Sequence, residues 1–428
     1  VNLNKSFFQR LLSHELLQKG GVYLVGNLLN KSIPFLMIPI MTRYLSPEGY
    51  GQVSTFQALY GIALALISVS INSSIGLYYF NLRALEFRKY IFNSLVTSFV
   101  FFLLYTFFVF IFSSWLTSVM PFSLKWLYIL GLYVFVNNVV ELLLALFRAQ
   151  KKPYSFIKLE IFRTILNFSL SLGAIILLQM DWEGRITGIV TSSLVAGILC
   201  VFILLKEQWI KPKISKTLIM MVLAYGAPLI PNVLARWSMT SIDRFFINHY
   251  VGVSETGLYS LGDQIGLIVG ILVLSFHNAW LPFFFESLKK NEPLLKRKIV
   301  KFSYAYIVAI ILIAFGLTAI SPLLIRFMAT PEYYKAQEYV LWISLGYAFS
   351  GMYYIFSGYL FYLKKTWLVA FCTTTGALVN ILLNWFLIPD FGAMGAAYAT
   401  LTAYMAIFLL AWLFSSRNYD MPWNLFKR

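Results

Sequence analysis

The chain has 428 residues, of which 60% are hydrophobic, 18% aromatic and only 12% charged, with a mean hydropathy of +0.75. Soluble globular domains average about 25% charged residues, so a soluble enzyme is excluded, and the repeated long apolar runs make the chain polytopic. The formal net charge of +17 does not point to nucleic acid, because the cations sit in short segments between the runs, as the positive-inside rule requires.

Leu3, Phe7, Phe8, Leu11, Leu12 and Leu16 recur at helical spacing with Lys5, Arg10 and Lys19 interspersed. This pattern predicts an amphipathic helix over residues 1–19, lying on the cytoplasmic face. No signal-peptide pattern is present there, so the first span is expected to serve as the insertion signal. About twelve spans follow, each near or above the roughly 20 residues a crossing needs. They are predicted at Gly21–Thr42, Val53–Phe80, Ile91–Val119, Trp126–Phe147, Phe156–Leu178, Ile186–Leu205, Leu218–Phe246, Leu258–Phe285, Phe302–Ile320, Val340–Leu363, Trp367–Ile388 and Ala393–Phe414. The longest outside loop, Ser321–Glu338, has room for at most a short interfacial helix.

With the N-terminus inside, 25 of the 34 Lys and Arg fall in cytoplasmic segments. Only Arg43, Lys125, Arg185, Arg326 and Lys335 fall outside, and Lys31, Arg163, Arg236 and Arg244 lie within spans. A wrong span count would scramble this alternation. Both termini are therefore expected in the cytoplasm.

The basic connector 206–217 divides an N-terminal six-helix lobe (20–205) from a C-terminal one (218–416), leaving a cytoplasmic tail at 417–428. The halves echo each other. Glu48-Gly49-Tyr50-Gly51 opens the second span as Glu255-Thr256-Gly257-Leu258-Tyr259 opens the eighth, and Gly49/Gly257 and Gly184/Gly392 share an offset of 208 residues. Two halves of six spans have the same orientation, a parallel repeat. The expected fold class is therefore an all-α membrane protein of about twelve transmembrane helices in two six-helix lobes around a cationic cavity.

Polar residues inside the spans form faces at helical spacing. The first span carries Asn27, Asn30 and Lys31, and the fifth carries Glu160, Arg163, Thr164, Asn167 and Ser171. The seventh carries Asn232, Arg236, Thr240 and Asp243 with Arg244, and the eleventh Thr373, Gly376, Asn380 and Asn384. Gly226, Pro228 and Pro231 interrupt the seventh, as in the broken helices that line transport sites. Asn and Thr at such positions also serve helix–helix hydrogen bonding. Asn27, Asn30, Asn167, Asn232, Asn380 and Asn384 are thus read as polar cavity lining or as helix glue.

Ionisable groups in hydrocarbon face a bundle interior or a watery cavity. Glu141 and Arg163 are equidistant from the turn near Lys152, and Asp243 and Asp263 from the turn near Val253, so each pair is predicted at a common depth. Such a site serves either an Arg244–carboxylate bridge or a functional role. Lys31 and Arg236 have no acid within a turn on their own helices, and unpaired cations in a watery cavity suit an anionic cargo. We therefore expect Lys31, Arg163, Arg236 and Arg244 to bind substrate. Asp243, Asp263, Glu141 and Glu160 are the candidates for coupling H+ or Na+ if transport is ion-driven. Aromatic residues of the tenth span, among them Trp342, Tyr347, Tyr353, Tyr354, Phe356, Tyr359, Phe361 and Tyr362, offer faces for sugar rings or belong to packing and interfacial belts.

Cys200 and Cys372 lie in apolar spans without a CxxC pattern. There is no GxxxxGK[ST] and no HExxH, so neither a Walker nucleotide site nor a zinc-protease site is expected. No cofactor and no metal site is expected.

The stretches KGGVYLVGNLLNKSIPFLMIPIMTRYLSPEGYG, AYGAPLIPNVLARWSMTSIDRFFINHYVGVSETGLYSLGDQIG and FHNAWLPFFFE resemble the polysaccharide-transport family, which includes the Wzx-type O-antigen flippases. That family belongs to the multidrug/oligosaccharidyl-lipid/polysaccharide exporter superfamily, and the resemblance covers essentially the whole chain. It implies a V-shaped fold in the bacterial inner membrane. The cargo it implies is an undecaprenyl-diphosphate-linked oligosaccharide, flipped from the cytoplasmic to the periplasmic leaflet, with polymerase and chain-length proteins of the same pathway as partners. The alternatives are an ion-coupled drug exporter of the same superfamily and a membrane glycosyltransferase or polymerase.

Overall fold

The structure is a computed structural model that describes residues 35–423. The predicted amphipathic helix 1–19 and most of the first span, including Asn27, Asn30 and Lys31, lie outside the described residues; residues 35–44 are helical. All regular elements among the described residues are helices, and eleven are long and apolar enough to cross a membrane. The twelfth predicted crossing is the first span. Helices satisfy every backbone donor and acceptor internally, which is the condition for standing in hydrocarbon.

The chain forms two compact units. The first runs to Tyr44 and resumes at Leu59–Pro231, and the second comprises Leu45–Ala58 and everything from Asn232. After α1 (35–44) comes α2 (Pro47–Ser68), whose opening half groups with the second unit. The remaining elements of the first unit are α3 (Ile71–Asn81), α4 (Ala84–Ile111), the short α5 (Ser113–Val119), α6 (Leu124–Ala149), α7 (Pro153–Leu172) with a π-helical turn at Gly173–Leu177, α8 (Trp182–Lys206) and α9 (Lys216–Gly226). The core of this unit is mostly aliphatic, built on residues that include Ile71, Ile75, Leu143 and Leu146 with the rings of Phe87, Tyr90, Phe147 and Phe156.

The second predicted span is in fact two helices. Val69 and Ser70 adopt φ of 46° and 51° between α2 and α3, a left-handed conformation that a β-branched residue rarely takes. The bend turns the Val69 carbonyl onto Gly226 of α9, where an added Cβ would lie 1.9 Å from that oxygen. This packing carries α9 into the first unit, so the contacts divide beyond the basic connector. The predicted break in the seventh span is observed: α9 passes through a 3-10 turn at Ala227–Leu229 into α10 (Ile230–Ser241).

The second unit continues with α11 (Asp243–Tyr250), α12 (Val253–Lys290), α13 (Pro293–Met328), a 3-10 turn at Pro331–Ala336, α14 (Gln337–Tyr362), α15 (Thr366–Phe391) and α16 (Ala393–Asn418). With 38 and 36 residues, α12 and α13 overrun their predicted bounds. At 1.5 Å per residue they exceed 50 Å, against a hydrocarbon core of about 30 Å. Hydropathy registers only the apolar part of such helices, and the helices continue through the cationic residues Lys289, Lys290, Lys296, Arg297 and Lys298. The core joins Trp280, Phe284, Tyr359 and Leu360 to Cys372 and Ile407, and at one end Trp423 closes against Phe356, with ring centroids 5.2 Å apart.

The echoed motifs meet. At Gly51 an added Cβ would lie 2.0 Å from the Val253 carbonyl oxygen, and at Gly257 one would lie 1.9 Å from the Pro47 carbonyl oxygen. One turn further along, the hydroxyls of Ser54 and Ser260 share a 2.6 Å hydrogen bond between residues 206 apart. The contact is reciprocal, and its register is 206 where the sequence suggested 208. Carbonyl oxygen cannot yield to a methyl group as a flexible side chain would. Gly51→Ala and Gly257→Ala are each expected to lower stability by about 1–3 kcal/mol through overpacking, measured as melting temperature in detergent. Gly76→Ala, where an added Cβ meets nothing within 4 Å, is expected to melt as wild type.

Candidate functional site

In the first unit, the polar face predicted on the fifth span is occupied by internal partners. Arg163 on α7 donates from Nη1 to Glu141 Oε1 on α6 at 2.9 Å, the pairing anticipated from their common depth. One turn earlier on α6, Asn137 donates to the Tyr60 hydroxyl at 2.5 Å, and the Tyr60 and Tyr133 rings lie 4.8 Å apart. Glu160 is buried on α7. Asn167 accepts from Arg185 Nη1 at 2.6 Å, and Ser171 accepts from the same nitrogen at 2.6 Å. Arg185, expected in an outside loop, is 5% exposed. The helix starts at Trp182 rather than Ile186, and its first turn places the guanidinium against α7.

In the second unit the charges gather at the junction of α11 and α12. Arg244 Nη2 donates to Asp263 Oδ2 at 2.7 Å, and Nη1 donates to Asp243 Oδ1 at 3.2 Å. Its Nε donates to Ser54 Oγ at 2.9 Å. The other carboxylate oxygens are also held: the Tyr259 hydroxyl donates to Asp243 Oδ2 at 2.5 Å, and the Tyr347 hydroxyl to Asp263 Oδ1 at 3.2 Å. One guanidinium against two carboxylates leaves the cluster one negative charge in excess when both acids are ionised. A single bound cation or proton would balance it.

Arg236 stands apart from this cluster. No carboxylate lies within 4 Å of it among the described residues. It is exposed to a cavity of about 420 Å³ within the second unit, together with Asn232 and Thr240 of its own helix face. Tyr347, Tyr353, Tyr354 and Phe361 of α14 line the same cavity, as do Tyr404 of α16, Thr373 of α15 and His277 of α12. No acidic side chain among the described residues lines it. Chemically, this is a concave surface with one strong cation, several hydroxyls and a bank of aromatic rings, suited to an anion attached to a polyhydroxylated group.

The remaining predicted residues lie elsewhere. Asn380 and Asn384 are 1% and 0% exposed and bond to each other, Asn384 Nδ2 donating to Asn380 Oδ1 at 3.1 Å. They do not line the cavity. The sequence reading passed over Tyr60, Tyr133, Tyr259, Tyr404 and His277. For His277 a signal exists: Leu267, Gly270, Leu274 and His277 repeat at helical spacing on α12 and all line the cavity. Tyr259 and Ser54 carry no such signal, because their partners are set by long-range packing.

The chain matches the sequence pattern described as "Polysaccharide biosynthesis protein" over residues 16–288, and the MatE pattern over 228–386. It is 24% identical over 369 residues to "Lsg locus putative protein 1" of Haemophilus influenzae, covering 84% of this chain and 88% of that protein. Among solved structures it resembles an inward-facing multidrug resistance MATE family transporter of the MOP superfamily, with a TM-score of 0.71 at 15% identity over 91% of this chain and 94% of that one. It also resembles the lipid II flippase MurJ in its inward closed conformation, with a TM-score of 0.73 at 15% identity over 94% and 88%. At such identity the likeness is one of fold.

Proposed function

Because the chain belongs to the polysaccharide biosynthesis protein family, we propose that it is a transporter of the MOP superfamily that flips an undecaprenyl-diphosphate-linked oligosaccharide from the cytoplasmic to the periplasmic leaflet of a bacterial inner membrane. The observation that carries this reading is Arg236, a cation without an acidic partner among the described residues, exposed in a cavity lined by tyrosines and hydroxyls. A guanidinium can fork two oxygens of a diphosphate, and aromatic faces beside it can cover sugar rings. Asn232, Thr240 and Thr373 line the same cavity and are positioned to meet sugar hydroxyls. On sequence grounds Lys31 is a second cation for the same cargo. A cationic drug is disfavoured as cargo, since no carboxylate among the lining residues would receive it.

In this proposal the fold is a twelve-helix V of two lobes that work by alternating access, with the first span as the twelfth crossing. Polymerase and chain-length proteins of the same pathway take over the flipped product. The test is transport of a labelled undecaprenyl-diphosphate-linked oligosaccharide in proteoliposomes. Appearance of label in the opposite leaflet only when the protein is present supports the reading, and protein-independent rates overturn it.

The Arg244 cluster extends the proposal to the energy source. Its excess carboxylate is the group on which a proton or Na+ would bind in one state of the cycle. We expect an imposed pH or Na+ gradient to accelerate the wild type but neither Asp243→Asn nor Asp263→Asn. Wild-type rates that ignore both gradients rule out coupling at this cluster.

A further inference from the structure

His277 is placed in the cavity with its hydrogen-bonding capacity unspent. Its ring stacks on Tyr354, with centroids 4.6 Å apart and planes 26° apart. Stacking engages the face of an imidazole and leaves both ring nitrogens at its edge. Neither nitrogen has a hydrogen-bond partner among the described residues. A partly buried imidazole that satisfies nothing in its own protein is costly to keep, unless something that visits the cavity pairs with it.

The surroundings define the visitor. The titratable and charged groups that face the cavity are Arg236 from α10, Tyr347, Tyr353 and Tyr354 from α14, and Tyr404 from α16. From α15 the lining residues are Val369 and Thr373, neither of which titrates. On the α13 side the ring of Tyr306 lies 4.4 Å from that of Phe276. The nearest acid of the charged cluster, Asp263, lies beyond Tyr347 and already accepts hydrogen bonds from Tyr347 and Arg244. Among the described residues, therefore, no acid is available to His277 in the cavity, and no group of three or more potential metal ligands occurs. An imidazolium here would have two free donors and only an arginine for a charged neighbour, which is the environment of an anion clamp rather than of an ion pair or a metal site.

We infer that His277, protonated, is a second cation of the Arg236 cavity and binds an anionic oxygen of the cargo, so that cargo affinity rises as pH falls. This inference rests on the functional reading above and adds a specificity-determining residue to it. The linkage has one sign: an anion bound to the imidazolium holds the proton on, and binding tightens as pH falls and the imidazole takes up its proton. Neutral His277 donates through one nitrogen only, and the clamp is weaker.

The test uses the full chain in detergent and inorganic sulfate, a tetrahedral dianion whose charge is constant between pH 5.5 and 7.5, titrated calorimetrically. Wild type is expected to bind about tenfold more tightly at pH 5.5 than at pH 7.5, the value of one added charge-assisted hydrogen bond. His277→Gln should bind with the weak affinity at both pH values, and His277→Lys with the strong affinity at both. Size-exclusion profiles establish that each variant is folded. Equal wild-type affinity at the two pH values, or a His277→Gln variant that keeps the wild-type profile, overturns the inference. Arg236→Ala separates it from the parent reading. If that variant loses sulfate while His277→Gln keeps the wild-type profile, only the role of His277 fails. If Arg236→Ala binds sulfate and flips cargo as wild type, the cavity reading fails instead.

Discussion

Arg236→Ala is expected to reduce flipping of the lipid-linked oligosaccharide to the rate of protein-free vesicles, while the protein still folds and inserts. The guanidinium is exposed to the cavity and makes no ion pair among the described residues, so its loss leaves no buried charge stranded and little stability is at stake. What is lost is the fork on the diphosphate. Two charge-assisted hydrogen bonds at about 1.5 kcal/mol each amount to about 3 kcal/mol, roughly a hundredfold in affinity. Arg236→Lys keeps the charge but replaces the planar fork by a point charge, and is expected to retain a measurable fraction of the rate. Complementation of a flippase-null strain by Arg236→Ala at wild-type efficiency would falsify the assignment.

Arg244→Ala is expected to have the largest effect on stability. The Arg244, Asp243 and Asp263 side chains are 11%, 6% and 16% exposed. Removing the guanidinium leaves two carboxylates close together in an apolar bundle and frees Ser54 Oγ and the Thr240 carbonyl of a donor. Breaking a buried pair by deleting one partner costs about 3–5 kcal/mol. The melting temperature in detergent should fall sharply, with less protein recovered from membranes. Adding Asp263→Asn to Arg244→Ala should restore part of the loss, because one stranded charge is then removed. A single variant that melts as wild type would show that the cluster is solvated and not structural. Arg236 and Arg244, two arginines of one predicted span eight residues apart, are thus expected to fail in different assays.

The parts of this protein that hydropathy controls were legible in its sequence. Spans four, five, six and ten to twelve fall within a few residues of their helices, because each is a single apolar run bounded by charge. The break in the seventh span was legible too, since Gly226, Pro228 and Pro231 cannot sustain an uninterrupted helix. The bend at Val69–Ser70 was not, for neither residue favours it locally; packing of the carbonyl on Gly226 imposes it. Depth relations within a hairpin placed Arg163 beside Glu141 and Arg244 beside its two aspartates. Lateral relations were out of reach. Nothing in the order of residues tells Asn232, which lines the cavity, from Asn380, which is sealed inside the packing. Likewise Arg185 reads as a loop cation until the serine and asparagine that receive it are seen across the helix pair.

The glycine crossing has a consequence for how the chain is made. Its two sides, Pro47–Ser54 and Val253–Ser260, are separated by 206 residues. At 5–20 residues per second, the ribosome needs about 10–40 s to supply the second side after the first has emerged. Throughout that interval the opening of α2 waits in or near the bilayer with this neighbour unmade. Contacts so distant in sequence close late and slowly. A chain released early from synthesis, anywhere short of Ser260, would expose this seam to the quality-control proteases of the membrane.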